Sequence, residues 1–301
     1  MNPVKSLPGF ILLATLVSAQ PATVPTTVPP TTPQAAPEQA KPAAPQPQPA
    51  PATIPAQAAP AQPKPAAMPP APAKSVPAPP VPPANVLFRP FFLTTDIAHY
   101  TGTAFRLRSE STNQHYLVTA HSLFSPVYGL DVQMSADDIA RIIIAAVGVS
   151  CTDRSVVVVA RPYVYIKDAR ATDTNGSEKD LALFRLPVTG EEPALTLDPA
   201  PPINGDRVWL YVKYAGTSKV GLEPATIAWT SDKEIRYLFE NQTVDLRLMN
   251  GAPLLSSDSQ VVGMHLATFT SKFGRLFGVA CPASAIRAVI ELPKREPKKL
   301  R

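Results

Sequence analysis

Between Gln20 and Asn85 the chain is mostly Pro, Ala, Gln and Thr, with Glu38, Lys41, Lys64 and Lys74 its only charged residues. Proline removes a backbone donor and fixes φ, and the remaining side chains offer little apolar surface, so this stretch cannot bury a core. It favours polyproline II or disorder, and extended at roughly 3.1 Å per residue it would reach on the order of 200 Å. Whatever folds cooperatively must lie downstream of it. The expected organisation is a signal peptide over 1–19, a disordered Pro/Ala-rich linker over 20–85, a folded domain over 86–292 and a basic tail over 293–301. A passive tether is the plainest use of the linker, and a ligand for a proline-binding module is the alternative.

The first residues read as a secretory signal. Lys5 precedes an apolar run from Leu7 to Val17, and Val17-Ser18-Ala19 supplies small residues for cleavage after Ala19. A secreted or periplasmic location follows. A bilayer span takes about 20 apolar residues, so this run and everything after it is too short, and no stable membrane span is expected. An uncleaved signal acting as an anchor is the competing reading.

The net charge of +5 belongs mainly to the end of the chain, where Arg287, Lys294, Arg295, Lys298, Lys299 and Arg301 face only Glu291 and Glu296. No aromatic residue is interleaved with these cations for base stacking, so a solvated tail is expected and no nucleic-acid partner. Cys151 and Cys281 could be oxidised in an exported protein, but their separation does not say whether they meet, and the disulfide stays open. The histidines, His99, His115, His121 and His265, are dispersed and neither cysteine has metal-ligand spacing. No metal and no cofactor are expected.

Downstream of the linker, β-branched and apolar runs bounded by turn residues predict strands at Thr103–Leu107, His115–Thr119, Val156–Ala160, Tyr163–Lys167, Leu181–Leu186, Val208–Tyr214, Pro224–Thr230, Ile235–Phe239, Val261–Leu266 and Leu276–Ala280. Two helices are expected. One starts at the capping-box-like Ser135-Ala136-Asp137-Asp138 and runs through Ala146, and the other covers Pro282 to Leu292. Many short strands with few helices mean an all-β barrel or sandwich. If there are two barrels, the break falls in the Pro- and Gly-containing connection from Pro187 to Asp206.

Three segments carry chemistry. Gly102-Thr103-Ala104-Phe105 followed by Tyr116-Leu117-Val118-Thr119-Ala120-His121 puts a histidine at a strand end. Lys179-Asp180-Leu181-Ala182-Leu183-Phe184 puts an aspartate at a strand entry. Leu248-Met249-Asn250-Gly251-Ala252-Pro253-Leu254-Leu255, with Val261-Val262-Gly263-Met264-His265-Leu266 after it, is the most specific. Together, in this order, they resemble the trypsin-like (chymotrypsin-fold) serine peptidases of bacterial type. The resemblance implies an all-β, two-barrel chymotrypsin/trypsin-like fold with a short C-terminal helix. It also implies His121 as general base, Asp180 as the carboxylate that orients it, and position 250 as the nucleophile. The family pattern there is Gly-x-Ser-Gly-(Gly or Ala)-Pro-Leu, so Asn250 stands in place of the serine. Each segment has a plainer reading: a buried structural histidine, a strand-entry aspartate, and a hairpin turn at Asn250-Gly251.

The departures bear on function. An amide is not a nucleophile that histidine can activate for acyl transfer. Leu248 occupies a glycine position of the oxyanion-hole region Leu248, Met249 and Gly251, which leaves that hole in doubt. Ser256 and Ser257 lie several residues beyond the elbow, on a strand leading away. The expectation is a catalytically inactive domain that binds a peptide or protein ligand through the retained cleft. The alternatives are an active serine endopeptidase, or a structural cell-envelope protein working through its Pro-rich arm. His265 is a candidate cleft contact, with core packing an equal alternative. Oligomeric state is not specified by these residues.

Overall fold

The computed structural model describes residues 77–95, 98–173, 175–187 and 191–291. The expected signal peptide, most of the linker and the basic tail lie outside them. Residues 77–83 carry neither helix nor strand. Among the described residues no helix is long and apolar enough to cross a membrane.

The first half of the domain builds one antiparallel sheet from β1 (Leu87–Leu93), β2 (Ala98–Tyr100), β3 (Ala104–Arg108), β4 (His115–Thr119), β5 (Ala145–Ser150), β6 (Val157–Ala160), β7 (Tyr163–Val164) and β8 (Ala182–Leu186). Its order is β6-β5-β1-β3-β4-β8-β7, with β2 paired on β1. The second half builds a closed barrel, ordered β10-β11-β14-β13-β12-β9, from β9 (Arg207–Lys213), β10 (Val220–Thr230), β11 (Ile235–Phe239), β12 (Pro253–Leu255), β13 (Val261–Thr270) and β14 (Leu276–Pro282). The fold is therefore mostly β, with two sheets of which one closes. In the first sheet the ladder stops at β6 and β7. It curls back all the same, because Arg161 donates its N–H to the Arg185 carbonyl at 2.7 Å. Pro162, next in the chain, has no N–H with which to continue that closure.

Four strands, β1, β2, β5 and β12, escape the sequence patterns, and two of them are instructive. β1 contains Pro90, which argues against a central strand. The strand tolerates it because one edge changes partner there: Leu87 and Phe88 pair with β3, and Phe91 to Leu93 pair with β2. β5 falls where the first helix was expected to continue. α1 (Ala136–Ile142) has the full capping box, Ser135 with Asp138, but ends four residues before Ala146. Ile143, Ile144, Val147 and Val149 are β-branched, and a six-residue register from Leu93↔Ala145 to Phe88↔Ser150 draws this segment into the sheet. The second helix, α2 (Ala283–Ile290), buries Ile286 and Ile290.

The described part of the connection, 191–206, touches both sheets, with Leu195 bridged to Leu107 and Leu197 to Val261. One core lies under the first sheet, with Phe88, Phe92, Phe105, Phe124 and Phe184 all buried, and it takes in the apolar face of α2. The other fills the barrel with Val208, Leu210, Ile227, Tyr237, Phe239, Met249 and Leu254. Cys151 and Cys281 are both buried free thiols, so the disulfide left open above is not formed.

Candidate functional site

The segment around position 250 is held by backbone hydrogen bonds from both halves. The Asn250 carbonyl accepts Thr103 N–H at 2.8 Å, Gly251 N–H goes to the His265 carbonyl at 2.8 Å, and His265 N–H returns to the Ala252 carbonyl at 2.8 Å. A turn closed by Ala252 N–H on the Met249 carbonyl, 2.9 Å, then delivers the chain into β12. β12 pairs with β13 and β9, and the residues leading into Asn250, 240–249, form no strand. The hairpin reading of Asn250-Gly251 is thereby excluded, and Pro253 sits at the first position of a strand, where proline is tolerated.

Gly251 has φ of 88°, and a Cβ there would lie 2.0 Å from the Thr103 carbonyl oxygen. Only glycine fits so close an approach of two backbones. Leu248 also has positive φ, 62°, so the chain keeps a left-handed turn where a side chain opposes it, at about 1–2 kcal/mol. The neighbours hold that turn in place. The Leu248 carbonyl accepts from Thr103 Oγ1 at 2.7 Å and from Arg89 Nη1 at 2.5 Å. Met249 points the other way, fully buried in the barrel core, while Leu248 is 39% exposed.

His121 opens a short 3₁₀ turn, His121–Phe124, at the end of β4. Its ring is fully buried and packs edge-on to Phe124. Nε2 lies 2.9 Å from the Met134 carbonyl, and Nδ1 is buried with no hydrogen-bond partner. A carbonyl only accepts, so Nε2 carries the proton and Nδ1 is bare. Burial pushes the His121 pKa down, against the Met134 bond and the Asp180 charge, and favours the neutral ring.

Asp180 sits before β8, and its carboxylate is satisfied elsewhere. Oδ1 accepts Ser122 N–H at 2.7 Å, and Oδ2 accepts both the N–H and the hydroxyl of Thr172 at 2.9 Å. Burial pushes the Asp180 carboxyl up, while these bonds lower it. Asp180 thus ties the turn after His121 to the loop before β8. The Asn250 side chain donates from Nδ2 to the Leu266 carbonyl.

A cleft of about 520 Å³ runs past Ser122, Tyr128, Thr172, Asp180, Asn250 and Leu266 to Thr268. The structure brings Asp180 and Asn250 to its wall. No hydrogen bond joins His121, Asp180 and Asn250 to one another among the described residues. General-base catalysis needs a bare Nε2 facing the nucleophile and an Nδ1–H held by the carboxylate. The arrangement here is the reverse tautomer with the carboxylate engaged by other donors. His121 presents no bare Nε2 toward position 250, and Asn250 itself carries no hydroxyl or thiol. Ser256 does not supply one: its hydroxyl is buried past the end of β12 with no partner.

His265 is not a cleft contact. It is 1% exposed, with Nδ1 2.6 Å from the Tyr237 hydroxyl and the Phe239 ring beside it. Burial pushes its pKa down to about 3. Met134, Ser122 and Thr172, which capture the polar groups of His121 and Asp180, carried no signal in the sequence. Arg89 did carry one: a lone cation inside Leu87-Phe88-Arg89-Pro90-Phe91-Phe92 that the strand must bury. It is 9% exposed, and besides Leu248 its guanidinium reaches the Gly102 and Lys213 carbonyls, each at 2.7 Å.

A family profile of the trypsin-like peptidase domain matches residues 102–264, from the glycine before β3 through the strand after the elbow. The chain belongs to the trypsin-like peptidase domain family. Among solved structures it is similar to the Rv3671c protease from M. tuberculosis in its active form, at 14% identity and a TM-score of 0.46, covering 75% of this chain and 93% of that one. It is also similar to a serine endoprotease from Yersinia pestis, at 15% identity and a TM-score of 0.45, covering 69% of this chain and 62% of that one. The matched region thus spans less than two thirds of the Yersinia protein. The MamO protease domain from Magnetospirillum magneticum is similar at 11% identity and a TM-score of 0.41, covering 68% of this chain and 95% of that one. No curated protein sequence matches.

Proposed function

We propose that the protein is an exported member of the trypsin-like peptidase family that binds a peptide or protein segment without cleaving it. The observation that carries this reading is Asn250 at the elbow, its side-chain amide committed to the Leu266 carbonyl in the place where the family pattern has serine. The His121 tautomer supports it independently, since the ring donates from Nε2 to Met134 and its one basic nitrogen, Nδ1, has no hydrogen-bond partner from which to take a proton. In this reading His121 and Asp180 persist as packing and loop-tying residues. The oxyanion-hole region of Leu248, Met249 and Gly251 serves as a wall of the groove.

Export rests on Lys5, the apolar run Leu7–Val17 and the small residues before Gln20, and the Pro/Ala-rich linker then holds the domain away from its point of attachment. The test is retention on the immobilised full chain from an envelope or extracellular extract. One defined peptide or protein, displaced by substitutions at Thr268 or Tyr128 in the cleft wall, is the expected result. Release of cleaved fragments instead of retention would overturn the reading.

A further inference from the structure

A cavity of about 670 Å³ lies between the two halves, walled in part by Leu248, two residues before Asn250. Its walls carry Arg89, Arg154 and Lys213 and no carboxylate. Lys213, at the end of β9, is 8% exposed, and its ammonium has no hydrogen bond or ion pair among the described residues. Arg154 stands exposed at the rim, also without an ion pair there. The acids nearest in sequence and pairing are engaged. Glu223 accepts from the Tyr214 hydroxyl at 2.5 Å, and Asp153 accepts from Ser155.

Lys213 and Arg154 face one cavity with no carboxylate in its walls, so their like charges repel across it with nothing there to offset them. Burial lowers the Lys213 pKa, Cys151 in the same wall works against that, and the charges of Arg154 and Arg89 lower it further. An anion seated among them would relieve both. Phe91, Tyr214 and Leu248 add apolar or aromatic wall, and Ser150, Thr217 and Ser218 add hydroxyls, a mixture that suits an anion carried on an organic chain.

We propose that this cavity is a carboxylate-binding site centred on Lys213 and Arg154. Resting on the peptide-binding reading above, the carboxylate is an acidic side chain or C-terminus of a peptide that crosses from the cleft at Asn250 over Leu248. Arg89 positions the site: one guanidinium holds the carbonyls of Gly102, Lys213 and Leu248, fixing both sheets and the elbow around the cavity.

The test follows backbone amide resonances of 213–218 in the full chain during titration with succinate, with inorganic phosphate in parallel at equal ionic strength. Saturable shifts with succinate are expected, weakened about tenfold in Lys213→Met and about threefold in Arg154→Gln. Arg154 is exposed, so its variant stays informative if Lys213→Met fails to fold. Absence of a saturable shift, equal binding by both variants, or tighter binding of phosphate would overturn the proposal. Short alanine peptides then separate sources: an amidated peptide ending in Glu against a free C-terminal acid, with a neutral amide as reference. If succinate binds at Lys213 and none of the peptides does, the anion site stands and the peptide-binding reading falls.

Discussion

The elbow around Asn250 and the His121–Asp180 corner meet at the same cleft, and in the proposed reading they depart from the family pattern in opposite ways. At the elbow the side chain of the key residue is changed while the backbone is kept: the left-handed turns at Leu248 and Gly251 and the hydrogen bonds to Thr103 and His265 are all in place. At the corner the side chains are kept while their partners are changed, Met134 for His121, and Ser122 with Thr172 for Asp180. Backbone hydrogen bonds and close packing hold a shape irrespective of the chemistry displayed on it. A catalytic hydrogen-bond chain has no such redundancy, and a nearby donor or acceptor can capture each polar group.

The sharpest way to break the elbow side is Gly251→Ala. With a Cβ 2.0 Å from the Thr103 oxygen and φ of 88°, this substitution should cost more than about 3 kcal/mol or prevent folding, read by urea unfolding. A loss under about 1 kcal/mol would mean the elbow is not pinned against Thr103. On the corner side, Asp180→Asn should cost about 1–3 kcal/mol, because its amide nitrogen would meet the Thr172 N–H that the carboxylate now accepts. A neutral outcome would mean that the loop tie is dispensable.

The buried histidines supply a pH signature. The folded pKa of His265 is held down to about 3, against about 6.5 unfolded. Below about 6.5 the unfolded chain therefore takes a proton that the folded state refuses until about 3. Stability should fall as pH drops through that window, by up to about 1.4 kcal/mol per pH unit. Urea unfolding at about pH 7 and about pH 5 should show His265→Gln with a shallower loss than wild type. His121, lowered by the same cause, leaves part of the slope in place. An unchanged slope would mean that His265 is not buried neutral. The smallest effect is expected from Leu248→Gly, a gain of up to about 1 kcal/mol as the left-handed strain is released, reduced by the extra freedom of glycine when unfolded. Destabilisation there would show that the exposed leucine makes contacts worth more than its strain.

The barrel was the more legible half of the molecule. β11 matches its sequence pattern residue for residue and β9, β10, β13 and β14 overlap theirs, because each alternates or runs apolar between clear turn residues. The first sheet was legible at β3, β4 and β8. β1 was hidden by Pro90, and β5 by a helix start whose capping box is real but whose continuation is overruled by pairing with β1. β6 and β7 overlap their patterns as well, β7 shortened to two residues where the ladder of the first sheet ends. The site was legible in position but not in partnership. Motif spacing placed Asp180 and Asn250 on one cleft, whereas the rotation of His121 toward Met134 depends on a carbonyl thirteen residues away with no side-chain signature. Strand position alone left His265 open between cleft and core, because it does not say which face turns inward; its burial and its bond to Tyr237 favour the core.

The central claim, a cleft that keeps its shape and lacks its reaction, is tested most directly by intact mass after fluorophosphonate treatment of the full chain, wild type beside Asn250→Ser. Wild type is predicted to gain no label. Asn250→Ser is predicted to remain unlabelled as well, because a serine there would face a histidine protonated at Nε2 with no contact to Asp180. Stoichiometric labelling of one serine in the wild type would contradict the account and mark the protein as an active peptidase.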